Sequence, residues 1–199
     1  MKQRLCIALF LVFAIAAGVR AQSEEVGAIG GSSTTEAATQ LANRDPLLRQ
    51  HAAEELAQRA STSNRKMLEG YRLQEKNSRV KLALDWALYR TGKREALFAV
   101  IRALDSSRFE QAKTYLAGLE TPEPLYLFLD RVNGNTQIRL IEVLEKIGDA
   151  GTLDRLKPYA ESFDLKIAET AQVAIREIEQ RLGQTPTNTT TRPRQVSEP

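Results

Sequence analysis

The sequence predicts an all-α protein made of stacked helical hairpins, and three observations carry that expectation. Between residues 36 and 183 the apolar side chains recur three and four apart, without the sustained alternation of a half-buried strand. Glycine, threonine and proline punctuate this pattern at Gly70, Thr91-Gly92, Thr121-Pro122, Gly134 and Gly148-Asp149, where helices are expected to break. Three segments then align at a constant offset of 28 residues: VKLALDWALYRTGKREALFAVIRAL from Val80, RFEQAKTYLAGLETPEPLYLFLDRV from Arg108 and TQIRLIEVLEKIGDAGTLDRLKPYA from Thr136. A hairpin of two short helices cannot bury its apolar face alone, so neighbouring units must stack into one core.

In chain order, residues 34 to 43 form an N-terminal helical cap. The first unit is the loosest, with DPLLRQHAAEELAQRA burying a stripe of Ala52, Ala53, Leu56 and Ala57, followed by SNRKMLEGYRLQ. The second buries Val80, Leu84, Ala87 and Leu88, turns at Thr91-Gly92 and resumes with Leu97, Val100, Ile101 and Leu104. Leu116 ends the corresponding stripe of the third unit, and Leu125 with Phe128 begin its second helix. In the fourth, Ile138, Ile141, Val143 and Leu144 precede a turn and then Leu153 and Leu156. After an insertion at Ser162 to Asp164, LKIAETAQVAIREIEQRL supplies a terminal helix.

The turn IGDAGTLDRL, residues 147 to 156, could be a phosphate loop, half a calcium site or a helix junction. Its equivalents TGKREAL and ETPEPL keep the turn and lose the aspartate, which an ion site could not tolerate. It reads as a junction: Gly148 ends a helix where positive φ is favoured, and Asp149 caps the next helix.

Val80-Lys81, Ala87-Leu88, Gly92 and Leu97, together with Leu144 and Ile147-Gly148-Asp149, carry a pattern that resembles the short HEAT repeat, also called the HEAT-like or phycobilisome-lyase-like repeat. The likeness extends over residues 45 to 182. It departs at Glu120-Thr121-Pro122 and in the first unit, which has no turn glycine. The resemblance implies a right-handed α-α superhelix, a HEAT-type solenoid of about four hairpins plus a terminal helix, with the second helices lining its concave face. It implies no single activity, because such scaffolds serve many.

Outside this region the composition changes. MKQRLCIALFLVFAIAAGVRAQ places Lys2 and Arg4 before an apolar run and small residues at Val19 and Ala21, which is expected to be a secretory signal peptide over residues 1–21, cut after Ala21. The alternative is an uncleaved membrane anchor. Residues 22–35 read as a disordered linker and 184–199 as a disordered tail, whose Asn188-Thr189-Thr190 fits a glycosylation sequon. The expected location is secreted or periplasmic. Removing the leader takes three of the 28 basic residues and no acid, leaving 25 against 25. A neutral chain loses the electrostatic basis for binding nucleic acid, and no later stretch is apolar enough to span a bilayer, which needs ~20 such residues. Cys6, the single cysteine, leaves with the leader, which excludes disulfides and thiolate chemistry.

No catalytic constellation emerges. His51 is the only histidine and has no partner histidine or cysteine, so a zinc site is not expected; no serine lies in a nucleophile-elbow pattern, and no metal or cofactor is expected. Carboxylates are plentiful, and they read as solvated or paired along helix faces, as Glu142 with Lys146. The expected function is therefore non-catalytic: a scaffold or adaptor for a protein or peptide partner. An enzyme-accessory or lyase-like role, suggested by the resemblance, and a structural envelope role are the alternatives.

The 28-residue phase also nominates a binding face. With 97, 100, 101 and 104 turned to the core, positions 98, 99 and 102 turn outward. Through the units these positions nominate Phe98, Arg102, Tyr126, Leu127, Asp130, Asp154 and Arg155 as candidate partner-contacting residues, since exposed aromatic and arginine side chains anchor many interfaces. The competing reading has Phe98 and Tyr126 stacking between hairpins and Arg102 paired with Asp130.

Overall fold

A computed structural model describes residues 29–183, with side chains from residue 35. The described chain is all-helical. Its helices are α1 (Ile29–Gln40), α2 (Pro46–Arg59), α3 (Arg65–Gln74), α4 (Ser78–Arg90), α5 (Ala96–Ala103), α6 (Phe109–Ala117), α7 (Glu123–Leu129), α8 (Gly134–Ile147), α9 (Ala150–Ala160) and α10 (Leu165–Gly183). A 3-10 turn, Thr62–Asn64, precedes α3. The leader, the sequon at Asn188 and the tail lie outside the described residues.

Local chemistry explains several boundaries. Asp45 caps α2 by accepting from the Leu47 backbone N–H, with Pro46 at the first helical position, where its missing N–H costs nothing. Asn77 caps α4 and Asp164 caps α10 in the same manner. Asp149 does so for α9 within a capping box, its carboxylate accepting from Thr152 N at 3.0 Å while Thr152 Oγ1 accepts from Asp149 N. The α4–α5 turn requires Gly92, whose φ is +94°.

Three details differ from the pattern-based expectation. Helix α1 starts at Ile29, inside the stretch assigned to a linker, and its Ala37, with Leu41 just beyond its end, is buried in the core beside α2. Gly70 does not break a helix but sits within α3, which continues because buried Leu68 holds that turn against the core. Gly148 has φ −62°, not a positive value. A Cβ there would lie 2.5 Å from the Leu144 carbonyl oxygen and 2.7 Å from Ile178 Cδ1, so crowding by the preceding turn of α8 and by α10, rather than backbone handedness, demands glycine.

The first helices meet in series, α2 on α4, α4 on α6, α6 on α8 and α8 on α10. Three second helices pack on the first helix of the following unit, α3 on α4, α7 on α8 and α9 on α10, whereas α5 packs chiefly along its own partner α4 and less on α6. The packing unit is thus offset from the sequence unit. One core results, running from Ala37 to Ile178 through Leu56, Leu84, Ile101, Leu116, Leu140 and Leu144.

Arginines tie these units together by donating to carbonyls that helix ends leave unpaired. Arg65 on α3 reaches the Thr91 carbonyl at the end of α4 at 2.6 Å. Arg181 on α10 reaches Gly148 and Glu145 at the end of α8, at 2.6 and 2.8 Å. Arg139 on α8 donates to the Leu104 carbonyl after α5, with its guanidinium 3.9 Å from the Phe109 ring centre. Glu142 pairs with Lys113 on α6 at 2.6 Å rather than with Lys146, because α6 packs against that face of α8.

Candidate binding surface

The second helices are short and their sequences divide cleanly by face. On α5, ALFAVIRA, Leu97, Val100 and Ile101 are buried and Leu104 closes the turn beneath them. Phe98 on the opposite side is 52% exposed, and Arg102 is exposed beside it. On α7, EPLYLFL, Leu125 and Leu129 are buried, whereas Leu127 is 67% exposed. Asp130, Asp154 and Arg155 are exposed, and Tyr126 is half-buried.

These side chains form two neighbouring clusters. In the first, the Arg102 guanidinium lies 4.9 Å from the centre of the Phe98 ring, which itself meets Phe128 of α7 at 6.2 Å. A cation held over an aromatic face contributes about 0.5–1 kcal/mol at an exposed site. Arg102 therefore does not pair with Asp130. In the second, the Tyr126 hydroxyl lies 2.6 Å from Thr152 Oγ1 and donates to Asp149 Oδ1 at 3.1 Å, while Arg155 rests 5.5 Å from the Tyr126 ring centre. Asp130 accepts from Tyr159, and Asp154 pairs with Lys157 at 2.7 Å. An open hollow of about 230 Å³ separates Tyr126, Asp130, Asp154, Arg155 and Tyr159.

Electrostatics follow from this arrangement. Burial and then the Asp130 carboxylate push the Tyr159 hydroxyl well above its ordinary range. Burial acts to raise the Asp149 carboxyl, but hydrogen bonds from Thr152 and Tyr126 outweigh it and hold that group below its usual value. Lys157 lowers Asp154 directly. Among the described residues, no group of three or more His, Cys, Asp and Glu side chains is placed to hold a metal ion, and no helix is long and apolar enough to cross a membrane.

The layer of first helices is the more crowded one. Tyr115 on α6 donates to Glu54 on α2 at 2.5 Å, two units away, passing Trp86 of α4, on which its ring stacks at 5.6 Å. Second helices keep their backbones further apart and meet through long side chains, Phe98 with Phe128 and Tyr159 with Asp130. The open, side-chain-bridged layer is the one that carries the nominated residues. Phe128 and Tyr159 belong to it and were not nominated. Phe128 shares its phase with core Val100, and Tyr159 follows Pro158, so neither stood out by register.

Compared with known proteins, the chain matches no protein-family model and no curated sequence.

Proposed function

We propose that this chain is a HEAT-like α-solenoid, secreted or periplasmic, that acts as a non-catalytic scaffold or adaptor by binding a protein or peptide through its second-helix layer. The observation that carries this reading is the ridge of Phe98 and Leu127, large apolar side chains exposed at related positions of successive second helices. Such side chains gain little by pointing into water, and burying each against a partner stabilises by roughly 1.5–3 kcal/mol. Arg102 and Arg155 stand over the neighbouring aromatic rings and would rim the contact with charge. The 28-residue repeat and the serial packing of first helices support the solenoid reading.

The test is affinity capture of the chain's partners from its own envelope or secretome, identified by mass spectrometry, with Phe98→Ala/Leu127→Ala as comparison. Both side chains are exposed, so the double variant is expected to keep its helical circular dichroism and melting temperature while losing the specifically captured protein. Capture that survives unchanged in the folded variant would refute the proposed surface.

A further inference from the structure

Beside the ridge, α3, α4, α5 and the residues leading into α6 enclose an open groove of about 440 Å³. That volume is within the range of sites that hold a side chain or small ligand, ~300–1,000 Å³. Leu82, Ala99 and Ala103 give it an apolar floor, and Phe98 stands at its rim. Its charged lining is unbalanced: Arg72, Lys81, Arg102 and Arg108 against Asp85 and Glu95.

The cations are not equally committed. Arg72 donates to Asp85 at 2.6 Å, and the Asp85 side chain is largely enclosed. Burial pushes the Asp85 carboxyl up, with Arg72 opposing, so this pair serves the wall of the groove. Arg108 donates to Ser78 at 3.2 Å and keeps its remaining N–H groups. The Lys81 ammonium and the Arg102 guanidinium form no hydrogen bond or ion pair with described residues, and Arg102 has only the Phe98 face beneath it. Lys81 is half-buried, and its charge, with those of Arg72 and Lys93, favours the ionised form of Asp85 without hydrogen-bonding to it, so its ammonium N–H groups stay available to a ligand.

We propose that this groove recognises a peptide segment in which acidic side chains flank an apolar or aromatic one. The inference rests on the reading that the second-helix layer binds protein, and it specifies the chemistry of what is bound. The apolar residue would settle on Leu82 and Ala103 against Phe98, while its acidic neighbours meet Lys81, Arg102 and Arg108. Arginine and lysine rims select acidic motifs in this way, and complementarity of charge supplies specificity. A lipid surface fits less well, since a flat bilayer does not reach a recessed floor and Asp85 and Glu95 would oppose its headgroups.

The experiment uses the full chain and a short fluorescein-labelled synthetic peptide with glutamates on both sides of one phenylalanine. Companion peptides carry lysine for glutamate or glycine for phenylalanine, and phosphatidylserine vesicles are titrated separately. Fluorescence anisotropy is expected to show binding of the glutamate–phenylalanine peptide alone, weakened about tenfold by Lys81→Ala/Arg102→Ala and weakened by added salt. Lys81→Glu/Arg102→Glu should transfer preference to the lysine peptide, which a merely destabilised fold could not do. No binding, binding indifferent to both variants, or binding of vesicles in place of peptide each overturns the proposal. If the peptide is rejected while Phe98→Ala/Leu127→Ala still abolishes partner capture, the groove proposal falls and the ridge stands. Binding that depends on Lys81 and Arg102 supports the groove whatever the ridge variant does.

Discussion

Glu75 shows how much one side chain can hold in place. It receives Arg49 Nε at 2.7 Å and Nη2 at 3.0 Å, and its Oε1 also accepts from the backbone N–H groups of Lys76 and Asn77. A single carboxylate thus ties the start of α2 to the loop that begins α4. The Arg49 hydrogen bond, aided by the Asn77 and Lys76 amides, keeps its carboxyl below the usual glutamate value against the opposing effect of burial. A lowered folded-state pKa means that the stabilisation is complete above the unfolded value near ~4.3 and disappears as pH falls through the folded value. Glu75→Gln should therefore cost about 1–3 kcal/mol at neutral pH, by the usual worth of charge-assisted hydrogen bonds. The difference in melting temperature between the two proteins should shrink on acidification; a difference constant from neutral pH to about pH 3 would contradict the assignment. None of this was legible in the sequence, where Arg49 and Glu75 are 26 residues apart and neither belongs to a motif.

At the scale of the helix, the junction IGDAGTLDRL separates what a local pattern reveals from what it conceals. Asp149 as an N-cap was legible, because the capping interaction involves only Asp149 and Thr152. Gly148 does not have the positive φ expected of it: its constraint is crowding, by the Leu144 carbonyl one turn back and by Ile178 thirty residues on in α10, and the second contact is beyond a local pattern. Paired substitutions separate the two kinds of glycine. Gly148→Ala should destabilise by roughly 1–3 kcal/mol, as overpacking does, since its Cβ meets a backbone oxygen and a buried side chain. Gly70→Ala, in mid-helix with nothing within 4 Å of the new methyl group, should stabilise by about 0.5–1 kcal/mol. A melting temperature that rises for Gly148→Ala as well would show that the crowding there is relieved at no cost, and one that falls for Gly70→Ala would contradict the open space at that site.

Across the whole molecule, most polar links between elements join residues separated by close to one repeat: Lys113 with Glu142, Arg65 with Thr91, Arg108 with Ser78, Tyr159 with Asp130. A chain built on such neighbour contacts gains its cooperativity from the interfaces between units. Among the described residues, Tyr115 donating to Glu54 spans two units, so Tyr115→Phe should cost about 1 kcal/mol and should loosen α2 before α8. Hydrogen exchange would detect this as faster opening of α2 amides with α8 little changed; equal acceleration in both helices would mean that the link carries no coupling between units. The sequence by itself determined the helices, several of their ends, the buried stripes and the outward placing of Phe98, Arg102 and Leu127. Hydrophobic period and turn chemistry act over three to five residues, so neighbours in sequence suffice to read them. Only the tertiary structure decided that three of the second helices pack on the following unit, that arginines close distant helix ends, and that Lys81, Arg102 and Arg108 share one groove. Those relations depend on how far apart and at what angle the helices settle, which is set by the fit of side chains contributed by several units at once.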